Sequence, residues 1–83
     1  MFLAKIYITL KPTVNDPQGQ TIHGSLKQLN FKSVESVRVG KYIEIRMTAH
    51  SMKSAQDAAK SMCEKLLTNP VIEDFRLDIE ETS

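Results

Sequence analysis

Residues 35–47, ESVRVGKYIEIRM, carry a glycine in the middle of a strand-like run, and whether the chain reverses there decides the fold. If Gly40 and Lys41 formed a two-residue hairpin loop, Val39 would face Tyr42 and Val37 would face Glu44. Ile43, Ile45 and Met47 would then lie on the opposite side from the valines. If the strand runs on, Val37, Val39, Ile43, Ile45 and Met47 share one face, with Lys41 its only polar member, and Gly40 permits a bend or a bulge. The continuous strand keeps the apolar residues together and is the preferred reading.

A strand of roughly thirteen residues at about 3.3 Å each reaches some 40 Å, more than a chain of 83 residues can cover with its own elements. Part of it must overhang, and exposed ladder groups are protected most simply by pairing with another copy. A chain this short is only marginally stable alone. Its single cysteine, Cys63, excludes an internal disulfide. A homo-oligomer, dimer or tetramer, is expected, with Tyr7 and Tyr42 adding contact area on the less apolar sheet face.

The flanking segments supply the other elements. Phe2, Ala4, Ile6, Ile8 and Leu10 alternate with Leu3, Lys5, Tyr7 and Thr9, the pattern of a strand with one buried face. Pro12 and the cluster of Asn15, Asp16, Pro17 and Gly19 stop it. Asp16 before Pro17 reads as an N-cap followed by a first helical position. The helix it opens carries Ile22, Leu26 and Leu29 as an apolar stripe. Gly24 offers a place for close approach, and Asn30 is the left-handed stop, after which Phe31 folds back toward Leu26.

A second helix starts near Ser51, with Ser54 and Asp57 as a rival capping box. Its apolar stripe is Met52, Ala55, Ala59, Met62 and Leu66. Pro70 ends it and pushes Asn69 toward an extended conformation. Phe75, Leu77 and Ile79 then alternate with charged residues as a last strand. The expected architecture is α+β: a single domain over residues 1–83 in the order β-α-β-α-β, with a long bent middle strand and an antiparallel-type sheet covered by two helices on one face.

Little in the chain suggests chemistry of its own. Eleven basic and ten acidic residues are interleaved throughout, so neither nucleic acid nor a membrane surface finds an electrostatic footprint. Residues 1–10 lack the basic start and apolar length of a targeting segment, and a cytoplasmic location is expected, consistent with an unpaired thiol. Cys63 borders the apolar stripe of the second helix and reads as a small buried hydrophobe rather than a nucleophile served by His23 or His50. Those three residues have no metal-ligand spacing. The segment Asp16-Pro17-Gln18-Gly19 lacks the glycine spacing and lysine of a phosphate loop. Neighbouring carboxylates at Glu73 and Asp74, and at Glu80 and Glu81, point apart in an alternating strand. Arg38 and Lys41 flank the glycine, either gripping an anionic group on a partner or charging an exposed edge against aggregation.

The blocks IYITLKP, NDPQGQTIHGSL, VRVGKYIEI and MCEKLLTNPVIEDF, in this order and spacing, resemble the PurS family, the small subunit of phosphoribosylformylglycinamidine (FGAM) synthase. Thr13 stands where that family usually has glycine, and Phe75 where tyrosine is common. The resemblance implies a non-catalytic subunit in de novo purine biosynthesis. As a dimer it would bridge a glutaminase subunit and an ATP-dependent synthetase subunit and support ammonia transfer between them. It implies no cofactor in this chain; ATP and magnesium would be used by the large synthetase subunit. Asp16, Gln18, Arg38, Lys41, Asn69 and Glu73, which lie in the matching blocks and which a core does not explain, are the expected contacts with the larger subunits. The alternative is a small dimeric regulatory module that binds a ligand between its subunits.

Overall fold

The computed structural model describes residues 1–82. It contains β1 (Phe2–Leu10), α1 (Pro17–Gln28), β2 (Gly40–Met47), α2 (Met52–Met62) continued by a π-helical turn (Cys63–Leu67), and β3 (Glu73–Glu81). The three strands form one antiparallel sheet in the order β2-β1-β3. The strand alternation places Phe2, Ala4, Ile6 and Ile8 of the central strand on the buried face. Register then sets Met47, Ile45, Ile43 and Lys41 beside them on β2, and Ile79, Leu77 and Phe75 beside them on β3. α2 lies over this face: Ala55, Ala59 and Cys63 are fully buried, and Cys63 packs with Ile6 and Ile8 against Ile43, Ile45, Leu67, Phe75 and Leu77. Full burial of side chains like Ile6 and Ile8 is worth roughly 1.5–3 kcal/mol each.

The chain does not reverse at Gly40. Thr9 pairs with Gly40 and Ile8 with Lys41 in one unbroken register, so the continuous reading holds in direction. It fails in length, because the ladder begins at Gly40 and residues 34–39 run past its end. The cause lies in β1, which has only Leu10 left beyond Thr9 before Lys11 turns its amide to the Ile72 carbonyl at 2.8 Å and Pro12 offers no N–H at all. Nor does Gly40 make a bulge or adopt a left-handed conformation. It is a close-approach residue: a methyl there would stand 2.6 Å from the Ile8 carbonyl oxygen.

Both helix starts follow their caps. Asp16 accepts from the Gly19 amide at 2.9 Å with Pro17 in the first turn. Ser51, not the Ser54/Asp57 pair, caps α2, exchanging side-chain and backbone hydrogen bonds with Ser54 at 3.1 Å each way. Asn30 is left-handed at φ 71°. The Phe31 amide reaches back to the Leu26 carbonyl and the Asn30 amide to that of Lys27, both at 3.0 Å, which closes the helix as a Schellman motif.

The packing faces differ from the expected stripes. On α2 the inward residues are Ala55, Ala59, Cys63 and Leu67, spaced by four, while Met52, Met62 and Leu66 are exposed, Leu66 by 82%. The π-helical turn, closed by the Thr68 amide on the Cys63 carbonyl at 3.0 Å, takes up more residues than an α turn and so keeps a four-residue spacing on the sheet. α1 is not packed along the sheet, so one helix layer covers it rather than two. Instead α1 leans on residues 34–39. A methyl at Gly19 would collide with the Val37 carbonyl oxygen, and His23 Nε2 lies 3.0 Å from the Val34 carbonyl oxygen. Gly24, the expected point of close approach, faces open space. The outcome is an elongated molecule of 51 × 29 × 14 Å, a sheet-and-helix body with an arm made of α1 and residues 34–39.

Candidate functional site

Body and arm meet at the end of the sheet where β1 finishes, and β2 and β3 begin. Asp16 is the link. It is 4% exposed and divides its carboxylate: Oδ1 accepts from the Gly19 amide, capping α1, and Oδ2 accepts from the Val39 amide at 2.8 Å. These two hydrogen bonds to the charged form, helped by the nearby Arg38 guanidinium, hold its pKa below the ordinary 3.8. The sequence offers Asp16 as a partner contact. The fold spends both of its oxygens internally, so its part in any contact is to set the position of its neighbours.

Glu73 does the corresponding work on the body. Its Oε1 accepts from the Asn69 amide at 2.8 Å, and its Oε2 lies 3.5 Å from Lys41 Nζ, with the Glu73 side chain 15% and that of Lys41 58% exposed. Asn69 shapes the turn before β3 by accepting from the Val71 amide at its side chain and from the Ile72 and Glu73 amides at its carbonyl. It is not left-handed, as Pro70 requires.

Asp16, Gln18, Lys41 and Glu73 line one open cleft of about 480 Å³ floored by Ile8 and Leu10. Arg38 stands on the adjacent surface and donates to the Lys11 carbonyl oxygen at 3.0 Å. All six residues singled out from the sequence therefore gather at one end of the molecule, although they come from three separate stretches of chain. Gln18, Arg38 and Lys41 are exposed there, whereas Asp16 and Glu73 are held inside.

Tyr7 and Tyr42 sit directly opposite each other on the other face of the sheet, which no helix covers. Their ring centroids are 5.0 Å apart at 37°, and the Arg76 guanidinium lies 4.5 Å above the Tyr7 ring. Tyr42 donates to Glu44 Oε2 at 2.7 Å, and this hydrogen bond, with burial, pushes its pKa up to about 12. The hydroxyl stays protonated at neutral pH, and the residue as a whole is half exposed.

Cys63 has no exposed surface, and burial raises the pKa of its thiol, the reverse of what a nucleophile needs. Among the described residues no group of three or more His, Cys, Asp or Glu side chains is placed to hold a metal ion. None of the helices among the described residues is long and apolar enough to cross a membrane.

Sequence reasoning missed two participants. Lys11 supports this end through an ion pair to Asp74 at 2.8 Å and through its carbonyl to Arg38, contacts 63 and 27 positions away that no local pattern announces. Gly19 was legible in principle: a glycine three residues after an N-cap, inside a helix that gains nothing from it, signals another backbone nearby.

A family profile described as "PurS: Phosphoribosylformylglycinamidine (FGAM) synthase" matches residues 3–81. The chain is 42% identical over 81 residues to the phosphoribosylformylglycinamidine synthase subunit PurS of Bacillus subtilis, covering 98% of this chain and 95% of that one. It superposes on the crystal structure of Methanocaldococcus jannaschii PurS, one of the subunits of formylglycinamide ribonucleotide amidotransferase in the purine biosynthetic pathway, with a TM-score of 0.90 at 36% identity and complete coverage of both chains. It also matches a chain of the PurLQS structure from Thermotoga maritima, with a TM-score of 0.86, 28% identity and coverage of 96% and 99%.

Proposed function

Because the chain belongs to the PurS family and is thus a subunit of FGAM synthase in purine biosynthesis, we propose that it acts as the dimeric bridge between the glutaminase and synthetase subunits in the cytoplasm. It supports ammonia transfer and contributes no catalytic residue of its own. The observation that carries this reading is the gathering of Gln18, Arg38 and Lys41 as exposed groups around one cleft, held by two internal carboxylates. Such a cluster presents a fixed pattern of donors to another protein. Catalysis would gain by geometry, since docking two active sites so that ammonia passes without escaping to water raises its effective concentration at the second. ATP and magnesium would be used by the synthetase subunit, with this chain acting on their chemistry only through placement.

Reconstitution with the two larger subunits tests the reading. Arg38→Glu combined with Lys41→Glu should reduce glutamine-dependent turnover to that of the larger subunits alone, with circular dichroism confirming that the variant folds. Arg38→Glu by itself, which leaves the Lys41–Glu73 pair intact, should give a substantial part of the loss. Undiminished turnover from a folded double variant would reject the proposed contact.

A further inference from the structure

A second pocket lies just beyond the site described above, between the π-helical turn and the start of β3. It is open, spans about 710 Å³ with the solvent at its mouth, and is walled by Lys11, Glu64, Thr68, Glu73, Asp74 and the apolar pair Pro70 and Phe75. The lining holds three carboxylates and one ammonium. Asp74 is engaged through Oδ1 with Lys11, and Glu73 is engaged through both oxygens with Asn69 and Lys41. Glu64 has no hydrogen-bond or ion-pair partner among the described residues. The pocket also lies at the C-terminal end of the turn, where backbone carbonyls favour positive charge.

A second feature is independent of the charges. Thr68, in the wall of this pocket, is 7% exposed, and its hydroxyl finds no hydrogen-bond partner among the described residues. A buried hydroxyl without a partner is costly, and it marks a place where the molecule is incomplete. The carboxylates are not arranged for a metal ion. A planar, weakly hydrated cation that stacks on an aromatic ring and donates several hydrogen bonds at once suits a wall made of Phe75, Pro70, Glu64 and Thr68 better than a compact ammonium does.

We infer that this pocket receives an arginine side chain from one of the larger FGAM synthase subunits, with Glu64 and Asp74 accepting from the guanidinium and Thr68 completing the set. The inference rests on the assembly role proposed above and names a contact that the Arg38 and Lys41 cluster does not supply. One surface would then offer cations to its partner and, beside them, accept a cation in return, which fixes the orientation of docking.

Two measurements test it. In the free chain, N-acetyl-arginine amide should shift the amide resonances of Glu64 and Thr68 saturably, whereas the neutral isostere N-acetyl-citrulline amide should not. The shifts should vanish in Glu64→Gln combined with Asp74→Asn. Equal responses to the two compounds, or none, overturn the pocket. In reconstitution, Glu64→Lys should weaken association by about thirtyfold or more, as loss of an anchoring contact does. Thr68→Val should weaken it too without lowering the melting temperature of the free chain, because the variant removes an unpaired buried hydroxyl. Association indifferent to both substitutions overturns the pocket and leaves the assembly role standing. No association by the unaltered chain overturns the assembly role, and with it this occupant.

Discussion

The body and the arm of this molecule are held by different forces. In the body, β1 is laddered on both sides, and its residues Ala4, Ile6 and Ile8 are almost wholly buried beneath Ala55, Ala59 and Cys63. Its stability comes chiefly from apolar area removed from water, which responds weakly to pH and salt. In the arm, apolar residues are left largely uncovered, with Ile22 of α1 43% and the C-cap Leu29 66% exposed, while Leu26 is half-buried. What fixes the arm is one carboxylate shared between two amides, one glycine pressed against a carbonyl, and a histidine against another. Apolar burial builds the platform, and a few directional contacts aim the site upon it.

That contrast can be broken from either side. The largest expected effect is in the body. Ile6→Ala removes most of a fully buried side chain and should cost about 2–5 kcal/mol, read as a lower urea midpoint with strand and helix signals lost together. A smaller and more local effect is expected from Gly19→Ala, whose methyl meets the Val37 carbonyl. It should separate α1 from residues 34–39, speeding hydrogen exchange at Val39 while the amides of β1 keep their protection. If β1 exchanges faster as well, the arm is not an independent unit.

The smallest effect, and the sharpest discriminator, is pH. The pKa of Asp16 is lowered on folding, so the stability its carboxylate contributes is fully present above the unfolded value near 3.8 and is lost as pH falls through the lower folded value. Exchange at Gly19 and Val39, corrected for intrinsic rate, should therefore accelerate below about pH 3.8 before that of Ile6 does. The difference should disappear in Asp16→Asn, where no charge remains to titrate. Simultaneous loosening of both regions would mean that the carboxylate sets the stability of the whole chain.

The same division separates what the sequence revealed from what it withheld. Alternation in Phe2, Ala4, Ile6 and Ile8, and in Phe75, Leu77 and Ile79, announced strands because burial on one face imposes a period of two. The Asp16-Pro17 start, the Asn30 stop and the break at Pro70 were readable because each is a local backbone requirement. The extent of the middle strand was not, because it depends on where β1 runs out, some thirty residues earlier. The true face of α2 was hidden by a turn whose geometry departs from 3.6 residues, which made Met62 and Leu66 look internal in place of Cys63 and Leu67. At the site, residue identities came from a resemblance over matching blocks. The division of labour between internal carboxylates and exposed cations emerged only with the hydrogen bonds. Thr68 gave no signal at all, since an unpaired hydroxyl is a property of its surroundings.

The strand order has a consequence for how the chain acquires its structure. The central strand is synthesised before either of its neighbours, and one of them comes from residues 73–81. Residues 2–10 must therefore keep one edge unpaired until residues 73–81 have been made. Closing so long a loop is slow compared with forming local helices, and during that interval Phe2, Ile6 and Ile8 are available to any sticky neighbour.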